Sequence, residues 1–150
     1  LENALQVARY LNLEKPKVAV ISAVETLNPS VESSIEAGKL ADEYREREDC
    51  IVEGPLSLDV AMDPHSAREK KYPGRIKGNA DILLMPDIES GNVVYKTLTV
   101  SSGAYLAGVV VGPGVPIILG SRGDSARTKL ASISLGCIVS IKKGDFSPEG

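Results

Sequence analysis

The sequence predicts an α/β fold in which a mostly parallel sheet is covered by helices on both faces. Short apolar runs alternate along the chain with amphipathic segments of helical period, and polar segments follow most of the runs. The runs are almost continuously apolar, which is typical of parallel strands buried between two helical layers. A chain of 150 residues is long enough to bury a core of this kind.

In chain order, the first half predicts a helix, a strand, a helix and a strand. Apolar residues at helical spacing predict a first helix that ends before Pro16, and the uninterrupted run Val18–Ile21 predicts a buried strand. The segment 31–48 is amphipathic and predicts a second helix, and 50–54 predicts a short strand. Residues 55–74 predict a loop with one or two short helices, because prolines interrupt this segment.

The second half predicts a strand, a helix, two strands and a final helix. Ile82–Met85 is the clearest strand, since all four residues are apolar, and 90–102 continues as a helix. The apolar runs 106–112 and 115–120 predict two further strands, separated by a Pro-Gly turn. The segment from residue 124 to about residue 143 has apolar residues at helical spacing and predicts the last helix.

Composition excludes several classes of function. The formal net charge is -3 and aromatic residues make up 4%, so the chain lacks the basic field and the stacking faces of a nucleic-acid platform. No apolar run is long enough to span a bilayer, which predicts no membrane partner. Cys50, Cys137 and the single His65 form no metal-ligand spacing, so no metal is expected. We expect both cysteines to be free, buried or semi-buried thiols in a reducing, cytoplasmic location, with Cys137 in the core and His65 at the surface.

Polar segments follow four of the predicted strands: SAVET, EGPLSLD, PDIESGN and SRGDS. Ligands of parallel sheets bind at the carboxyl ends of the strands, so the convergence of these segments predicts a site there. Glu53 and Asp59 in the second segment are also expected to hydrogen-bond to loop backbone, which is a structural role. The convergence of the four segments is more informative than any one of them.

The PDIESGN segment has two interpretations. Asp87 and Glu89 come just before a predicted helix, Ser90 is the predicted N-cap, and Gly91 allows a ligand to approach closely. The carboxylates could contact a ligand, or they could simply cap the helix and complement its dipole. The sequence of this segment is compatible with both interpretations.

The SRGDS segment lies between an apolar run and a predicted helix. Arg122 presents paired donors that suit a planar anion with several oxygens, and Ser121 can hydrogen-bond to the same ligand. Asp124 or the serine after it can cap the helix, whose N–H groups point toward an anion. Taken by themselves, these residues predict an α/β protein that binds an anion.

The same segments, in this order, resemble the phosphate acetyltransferase and phosphate butyryltransferase family. The matching stretches are AVISAVETLNP, VEGPLSLDVAM, NADILLMPDIESGNVVYKTLT and GVVVGPGVPIILGSRGDSARTKLASI. They extend from about Val18 to Lys142, and SRGDSARTKLASI is closer to the butyryl-type branch.

The resemblance implies a fold like that of isocitrate and isopropylmalate dehydrogenases, with two α/β domains and a site in the cleft between them. Family members are about twice as long as this chain. The chain is therefore expected to be a single α/β unit over 1–150 that corresponds to the C-terminal half. Within it, about 18–119 would be the middle domain and 120–143 the final helix segment.

The resemblance also implies a reaction. Such enzymes interconvert an acyl-CoA and phosphate with an acyl phosphate and CoA, so CoA is a substrate and neither a bound cofactor nor a metal is expected. The implied catalytic residues are Ser121, Arg122 and Asp124. The implied substrate-binding residues are Asp87, Glu89, Gly91, Asn92, Lys96 and Gly123. Acetyl-type members carry an acid where this chain has Thr128, so Asp124 becomes the candidate base for the CoA thiol. A homo-oligomer is expected.

Two alternatives remain. The chain could be a non-catalytic domain that binds CoA or another phosphorylated metabolite, or that serves oligomerisation. A nicotinamide-dependent dehydrogenase of the related fold is less favoured, because no glycine-rich fingerprint follows a strand and opens a helix.

Overall fold

The structure is a computed structural model that describes residues 1–144. Helices and strands alternate in its first half, and two long helices dominate its second half. The elements are α1 (Glu2–Tyr10), β1 (Lys17–Ile21), α2 (Glu32–Glu43), β2 (Ile51–Leu56), α3 (Leu58–Met62), α4 (Pro64–Glu69), β3 (Ile82–Leu84), α5 (Ile88–Ser101) and α6 (Ala126–Lys143).

Three parallel strands form the sheet, in the order β2-β1-β3. Val18 in the central strand pairs with Val52 on one side and with Ile82 on the other. Gly54 is needed where β2 passes β1, because a Cβ at this position would lie 2.8 Å from the Cβ of Val20. The three strands therefore end at one edge of the sheet, as the sequence predicts.

The two faces of β1 are buried under different helices, because alternate residues of a strand point to opposite sides. Ala19 and Ile21 belong to a core cluster completed mainly by α3, α4 and the segment after them: Leu56, Val60, Ala61, Ala67 and Ile76. Val18 and Val20 belong to a second cluster with residues of α1 and α2 and of β2 or its approach: Leu5, Ala37, Cys50 and Val52. The predicted α/β class with helices on both faces of a parallel sheet is confirmed.

The prediction of two late strands at 106–112 and 115–120 is wrong for the described chain. These runs meet only in an isolated antiparallel bridge, in which Val110 and Ile117 exchange hydrogen bonds of 2.8 and 2.9 Å. On one side the ladder stops because Gly108 donates its N–H to Ser132 Oγ instead, at 2.9 Å. On the other side it stops at Gly112, whose φ of +115° is far from the extended range.

Several element boundaries differ from the predicted ones. The first helix ends at Tyr10, because Asn12 adopts a left-handed φ of 65°. The helix predicted at 31–48 is α2, which ends at Glu43. The helix predicted at 90–102 is α5, which begins two residues earlier, at Ile88. The last helix begins at Ala126, so the predicted first turn is part of the loop that precedes it.

Candidate active site

The turn before α6 places the Ser-Arg-Gly-Asp residues at the amino end of an 18-residue helix. Ser125 is the N-cap, and its Oγ accepts the N–H of Thr128 at 3.1 Å. The N–H of Asp124 donates to the carbonyl oxygen of Ser121 at 3.1 Å, which closes the turn. Free N–H groups and the partial positive charge at this helix end favour an anion beside the turn.

The middle of α5 faces the same turn. Lys96 Nζ lies 3.5 Å from Ser121 Oγ and 5.0 Å from the centre of the Tyr95 ring. The Tyr95 hydroxyl donates to Asp124 Oδ1 at 3.2 Å. Burial raises the pKa of Tyr95, and the hydrogen bond to Asp124 raises it further, so this hydroxyl is a protonated donor at neutral pH. Two neighbouring residues of α5 thus contact the turn through different groups.

A cleft of about 400 Å³ lies between α5 and the turn. Its polar side carries the lysine, the serines, the threonines and the carboxylate, and its apolar side is formed by the segment after α5. The lining residues are Lys96, Thr99, Val100, Gly103, Ala104, Tyr105, Ser121, Gly123, Asp124, Ser125 and Thr128. One cleft therefore offers both polar donors and an apolar wall.

Positive charge predominates around this cleft. The Arg122 guanidinium is exposed and makes no hydrogen bond or ion pair within residues 1–144. The Arg127 guanidinium stacks 3.8 Å from the centre of the Tyr105 ring, at the edge of the apolar wall. Among the described residues that line the cleft, Asp124 is the only carboxylate. An anion is the ligand that this arrangement favours.

The structure brings together some of the predicted site residues and separates others. Lys96, Ser121, Gly123 and Asp124 line the cleft, and Arg122 lies in the same turn. Three further residues from the predicted set line a second depression at the start of α5, together with Ile88 and Tyr95. They are Glu89, Gly91 and Asn92. Tyr95 joins the two regions, because it lines the depression and its hydroxyl reaches Asp124.

The capping interpretation is confirmed for Asp87, and the prediction of Ser90 as the N-cap is wrong. Asp87 is the N-cap of α5, and its Oδ1 accepts the N–H of Ser90 at 2.7 Å. Ser90 instead lies inside the first turn and donates from Oγ to the carbonyl oxygen of Asp87. Asp87 is the N-cap because the side-chain oxygen of an N-cap residue must reach the third N–H of the helix, which here belongs to Ser90. That N–H bond lowers the pKa of the Asp87 carboxyl.

The carboxyl ends of β1 and β2 hold an ionic cluster that is satisfied internally. Lys70 Nζ lies 2.7 Å from Glu25 and 2.9 Å from Asp59. Ser57 donates to Glu25, and the pKa of Lys70 is raised by its hydrogen bond to Glu25 above all. Among residues 1–144, no three His, Cys, Asp or Glu side chains are grouped as a metal site would require.

Other sequence predictions concern single side chains. Glu53 hydrogen-bonds to loop backbone, as predicted, and His65 is exposed. Cys50 is a buried free thiol, as predicted, but the prediction of a buried Cys137 is wrong, because its side of α6 is exposed. No helix within the described part of the chain combines the length and apolar character needed to cross a membrane.

Tyr95 belongs to the stretch NADILLMPDIESGNVVYKTLT that carries the family resemblance, but no local signal indicates that its hydroxyl contacts Asp124. Of the two caps that the sequence offers for the last helix, Ser125 is the N-cap. The cleft wall was not predicted. The approach of Ala104 and Tyr105 to the turn has no local signal, because it is produced by tertiary packing.

Comparison with known proteins gives a consistent result over most of the chain. The family model described as "Phosphate acetyl/butaryl transferase" matches residues 1–137. Phosphate butyryltransferase of Clostridium acetobutylicum is 42% identical over 145 residues, which are 95% of this chain and 48% of that protein. A probable phosphate butyryltransferase of Bacillus subtilis is 46% identical over 142 residues, 93% of this chain and 48% of that protein.

A solved structure supports the same relationship. The branched-chain phosphotransacylase of Enterococcus faecalis matches with a TM-score of 0.86 and 40% identity, over 92% of this chain and 50% of that one. The chain spans about half the length of the curated relatives that it matches. With the family model matching residues 1–137, the chain belongs to the phosphate acetyl/butyryl transferase family.

Proposed function

We propose that this chain is a phosphate acyltransferase unit that moves an acyl group, butyryl or acetyl, between CoA and inorganic phosphate. The observation that carries the proposal is the turn at the amino end of α6, where Lys96 Nζ lies 3.5 Å from Ser121 Oγ and the neighbouring Arg122 guanidinium makes no hydrogen bond or ion pair within residues 1–144. CoA and its acyl thioester are substrates in this scheme, and no bound cofactor takes part. Family membership supports the proposal.

The cleft and the adjoining turn supply several groups to the proposed reaction. Arg122 binds the phosphoryl oxygens through its paired donors, and the N–H of Gly123 adds a donor in the same turn. Ser121 hydrogen-bonds near the reacting carbonyl or sulfur. Lys96 adds positive charge next to Ser121 Oγ, where charge develops in the transition state. Asp87, Glu89, Gly91 and Asn92 remain predicted contacts for the remainder of the substrate.

The chemistry requires no protein nucleophile. In one direction the CoA thiolate attacks the carbonyl carbon of the acyl phosphate, a C–S bond forms, and the C–O bond to phosphate breaks. In the other direction a phosphate oxygen attacks the thioester and the CoA thiolate leaves. The apolar wall at Val100, Ala104 and Tyr105 suits an acyl chain, and the turn suits the phosphate.

The wider context of the unit is also a proposal. An isocitrate dehydrogenase-like fold is consistent with the parallel sheet, with 18–119 as the middle domain and 120–143 as the final helix segment. We further propose a homo-oligomer, which the exposed apolar side chains of α5 and α6 support. A cytoplasmic location is supported by the free thiols of Cys50 and Cys137.

The test is release of CoA from butyryl-CoA and from acetyl-CoA, followed with a thiol reagent in the presence and absence of phosphate. Phosphate-dependent release is expected from the wild-type chain. Arg122→Ala should lower kcat/KM about 100- to 1,000-fold, since one electrostatic donor contributes about 2–4 kcal/mol to the transition state. Arg68→Ala, an exposed arginine on α4, is the matched control and should leave the rate unchanged.

A second function is favoured by the length comparison, because the chain covers about half of its relatives. In that case it is a binding domain for CoA or another phosphorylated metabolite and has no activity by itself. Saturable CoA binding that is lost in Arg122→Ala, without phosphate-dependent release in the wild type, would establish this alternative. A chain that neither releases nor binds CoA would contradict the transferase and the CoA-binding domain alike.

A further inference from the structure

Asp124 connects α5 to the turn that carries Ser121 and Arg122. One carboxylate oxygen, Oδ2, accepts the backbone N–H of Ser121 at 2.6 Å. The other oxygen, Oδ1, accepts the Tyr95 hydroxyl at 3.2 Å. The backbone N–H of Asp124 also donates to the carbonyl of Ser121 at 3.1 Å. The side chain and the backbone of one residue thus fix the turn from both sides.

Both carboxylate oxygens of Asp124 are engaged with the protein itself. A general base needs a lone pair directed at the proton that it removes, within hydrogen-bond reach of the substrate. Here the carboxylate is half-buried, and its strongest bond, at 2.6 Å, goes to the main chain of the catalytic turn. This arrangement is better suited to holding a loop than to exchanging protons.

The α5 side of the connection is also fixed. Tyr95 is half-buried and adjoins Lys96, whose ammonium lies 5.0 Å from the Tyr95 ring and 3.5 Å from Ser121 Oγ. The hydrogen bond between Tyr95 and Asp124 holds α5 against the turn, and it therefore sets the distance between Lys96 and Ser121. A shift of about 1 Å in such a group can cost about 100-fold in rate.

We propose that Tyr95 and Asp124 form a positioning pair that locks the Ser121–Gly123 turn against α5, and that Asp124 does not act as the base for the CoA thiol. The kinetic part of this inference rests on the proposed function. The structural part, in which Asp124 holds the Ser121 amide, is independent of the proposed function. Thr128, at the position where acetyl-type members carry an acid, is buried and neutral, and its hydroxyl lies 3.1 Å from that of the N-cap Ser125.

The first experiment measures hydrogen exchange of the Ser121 amide by NMR in the complete chain. Asp124→Ala should speed this exchange at least about tenfold, and Tyr95→Phe should speed it by a smaller factor, because protection follows the hydrogen bond. Tyr10→Phe is the control, since its hydroxyl lies 2.8 Å from the Gln6 amide on α1, and should leave the Ser121 amide unchanged. Unchanged exchange in Asp124→Ala would overturn the inference whether or not the chain is active.

The second experiment follows phosphate-dependent CoA release as a function of pH in Tyr95→Phe, Asp124→Asn, Asp124→Ala and the double variant Tyr95→Phe/Asp124→Ala. A positioning pair predicts a fall of about 10- to 100-fold in kcat with the pH profile of Asp124→Asn unchanged in shape. Tyr95→Phe should have no further effect once Asp124 is alanine. Loss of one limb of the pH profile in Asp124→Asn would identify a base and overturn the inference.

The two experiments separate the inference from the proposed function. A wild-type chain that neither releases nor binds CoA refutes the proposed function, while the Ser121 amide still decides whether the lock exists. Asparagine keeps a side-chain oxygen that can accept from one donor, so Asp124→Asn is the variant to rely on if the alanine variant does not fold.

Discussion

Glu53 shows how one half-buried carboxylate orders the connection between α4 and β3. It lies in β2 with its side chain only 15% exposed, and it accepts the backbone N–H groups of Arg75 at 2.8 Å and Ile76 at 3.0 Å. The Tyr72 hydroxyl lies 3.5 Å from the same carboxylate, and burial, followed by the nearby Glu53 charge, raises the pKa of Tyr72 to about 12. The segment before β3 is therefore tied to the sheet by main-chain donors.

We expect Glu53→Ala to lower the free energy of unfolding by about 1–3 kcal/mol, because the backbone N–H groups of Arg75 and of the buried Ile76 lose their acceptor. Glu53→Gln should cost less, since the amide keeps one oxygen acceptor. Urea unfolding followed by circular dichroism measures both changes. Glu36→Gln, on the exposed side of α2, is the matched control, and a Glu53→Ala effect no larger than that of the control would contradict the expectation.

Asp63 gives a prediction about acid stability. It caps α4, and the Ser66 side chain above all, followed by the backbone N–H groups of Ser66 and His65, lowers its pKa from 3.8 to about 2. Folding therefore favours the ionised form. The resulting stabilisation is complete above the unfolded pKa and is lost as the pH falls from about 4 toward 2.

The measurement is the difference in unfolding free energy between the wild type and Asp63→Asn. Asparagine also caps helices, so the variant should fold, but it does not titrate. We expect the wild-type advantage at about pH 6 to shrink by about pH 2. A difference that stays constant over this range would show that the Asp63 carboxylate is not stabilised by its hydrogen bonds.

At the scale of single elements, α6 contributes most to the candidate site, because its amino end forms one side of the cleft. The N-cap Ser125 precedes the helix, and Gly144 follows it with the left-handed φ of 85° that is typical of helix C-termini. Ser132 on this helix also accepts the N–H of Gly108, which fixes the segment that forms the apolar wall. One helix thus positions both the polar and the apolar sides of the cleft.

Ser125→Ala should destabilise the chain by about 1 kcal/mol, because the N–H of Thr128 loses its capping acceptor. Ser134→Ala on the exposed side of the same helix is the control. Its hydroxyl bonds back to the carbonyl of Leu130, and alanine has the better helix propensity, so we expect no loss of stability. Chemical denaturation of the two variants distinguishes capping from a general effect of serine removal.

At the scale of the whole molecule, the core lies around the sheet while the second half of the chain is thinly covered. In α5 no residue is buried, and large apolar side chains on α5, on α6 and between them are exposed. Examples are Val93 at 64%, Val115 at 61%, Leu119 at 71%, Leu130 at 65% and Ile141 at 56% exposed. An apolar surface of this extent is typical of an interaction site.

The proposed self-association has a thermodynamic consequence. If copies of the chain cover each other's apolar side chains, the thermal midpoint should rise with protein concentration, because association stabilises the folded state by mass action. Sedimentation equilibrium over the same concentrations measures the mass directly. A single monomeric mass together with a midpoint independent of concentration would contradict the homo-oligomer.

The sequence by itself determined the layered core, and it predicts where an anion would bind. The continuous apolar run of β1 is buried on both faces, as its composition predicts. The Ser-Arg-Gly turn before a long helical pattern located the positive helix end, because these signals are local. The proposed reaction comes from the family resemblance, because composition and periodicity do not indicate one.

Tertiary structure alone decided which polar groups meet. The runs at 106–112 and 115–120 have the composition of strands. Ser132 Oγ nevertheless accepts the N–H of Gly108, so the two runs form one bridge instead of a ladder. Tyr95 and Asp124 are 29 positions apart, and only the packing of α5 against the turn joins them. Contacts between distant residues depend on how the faces of helices pack, and no local pattern encodes that arrangement.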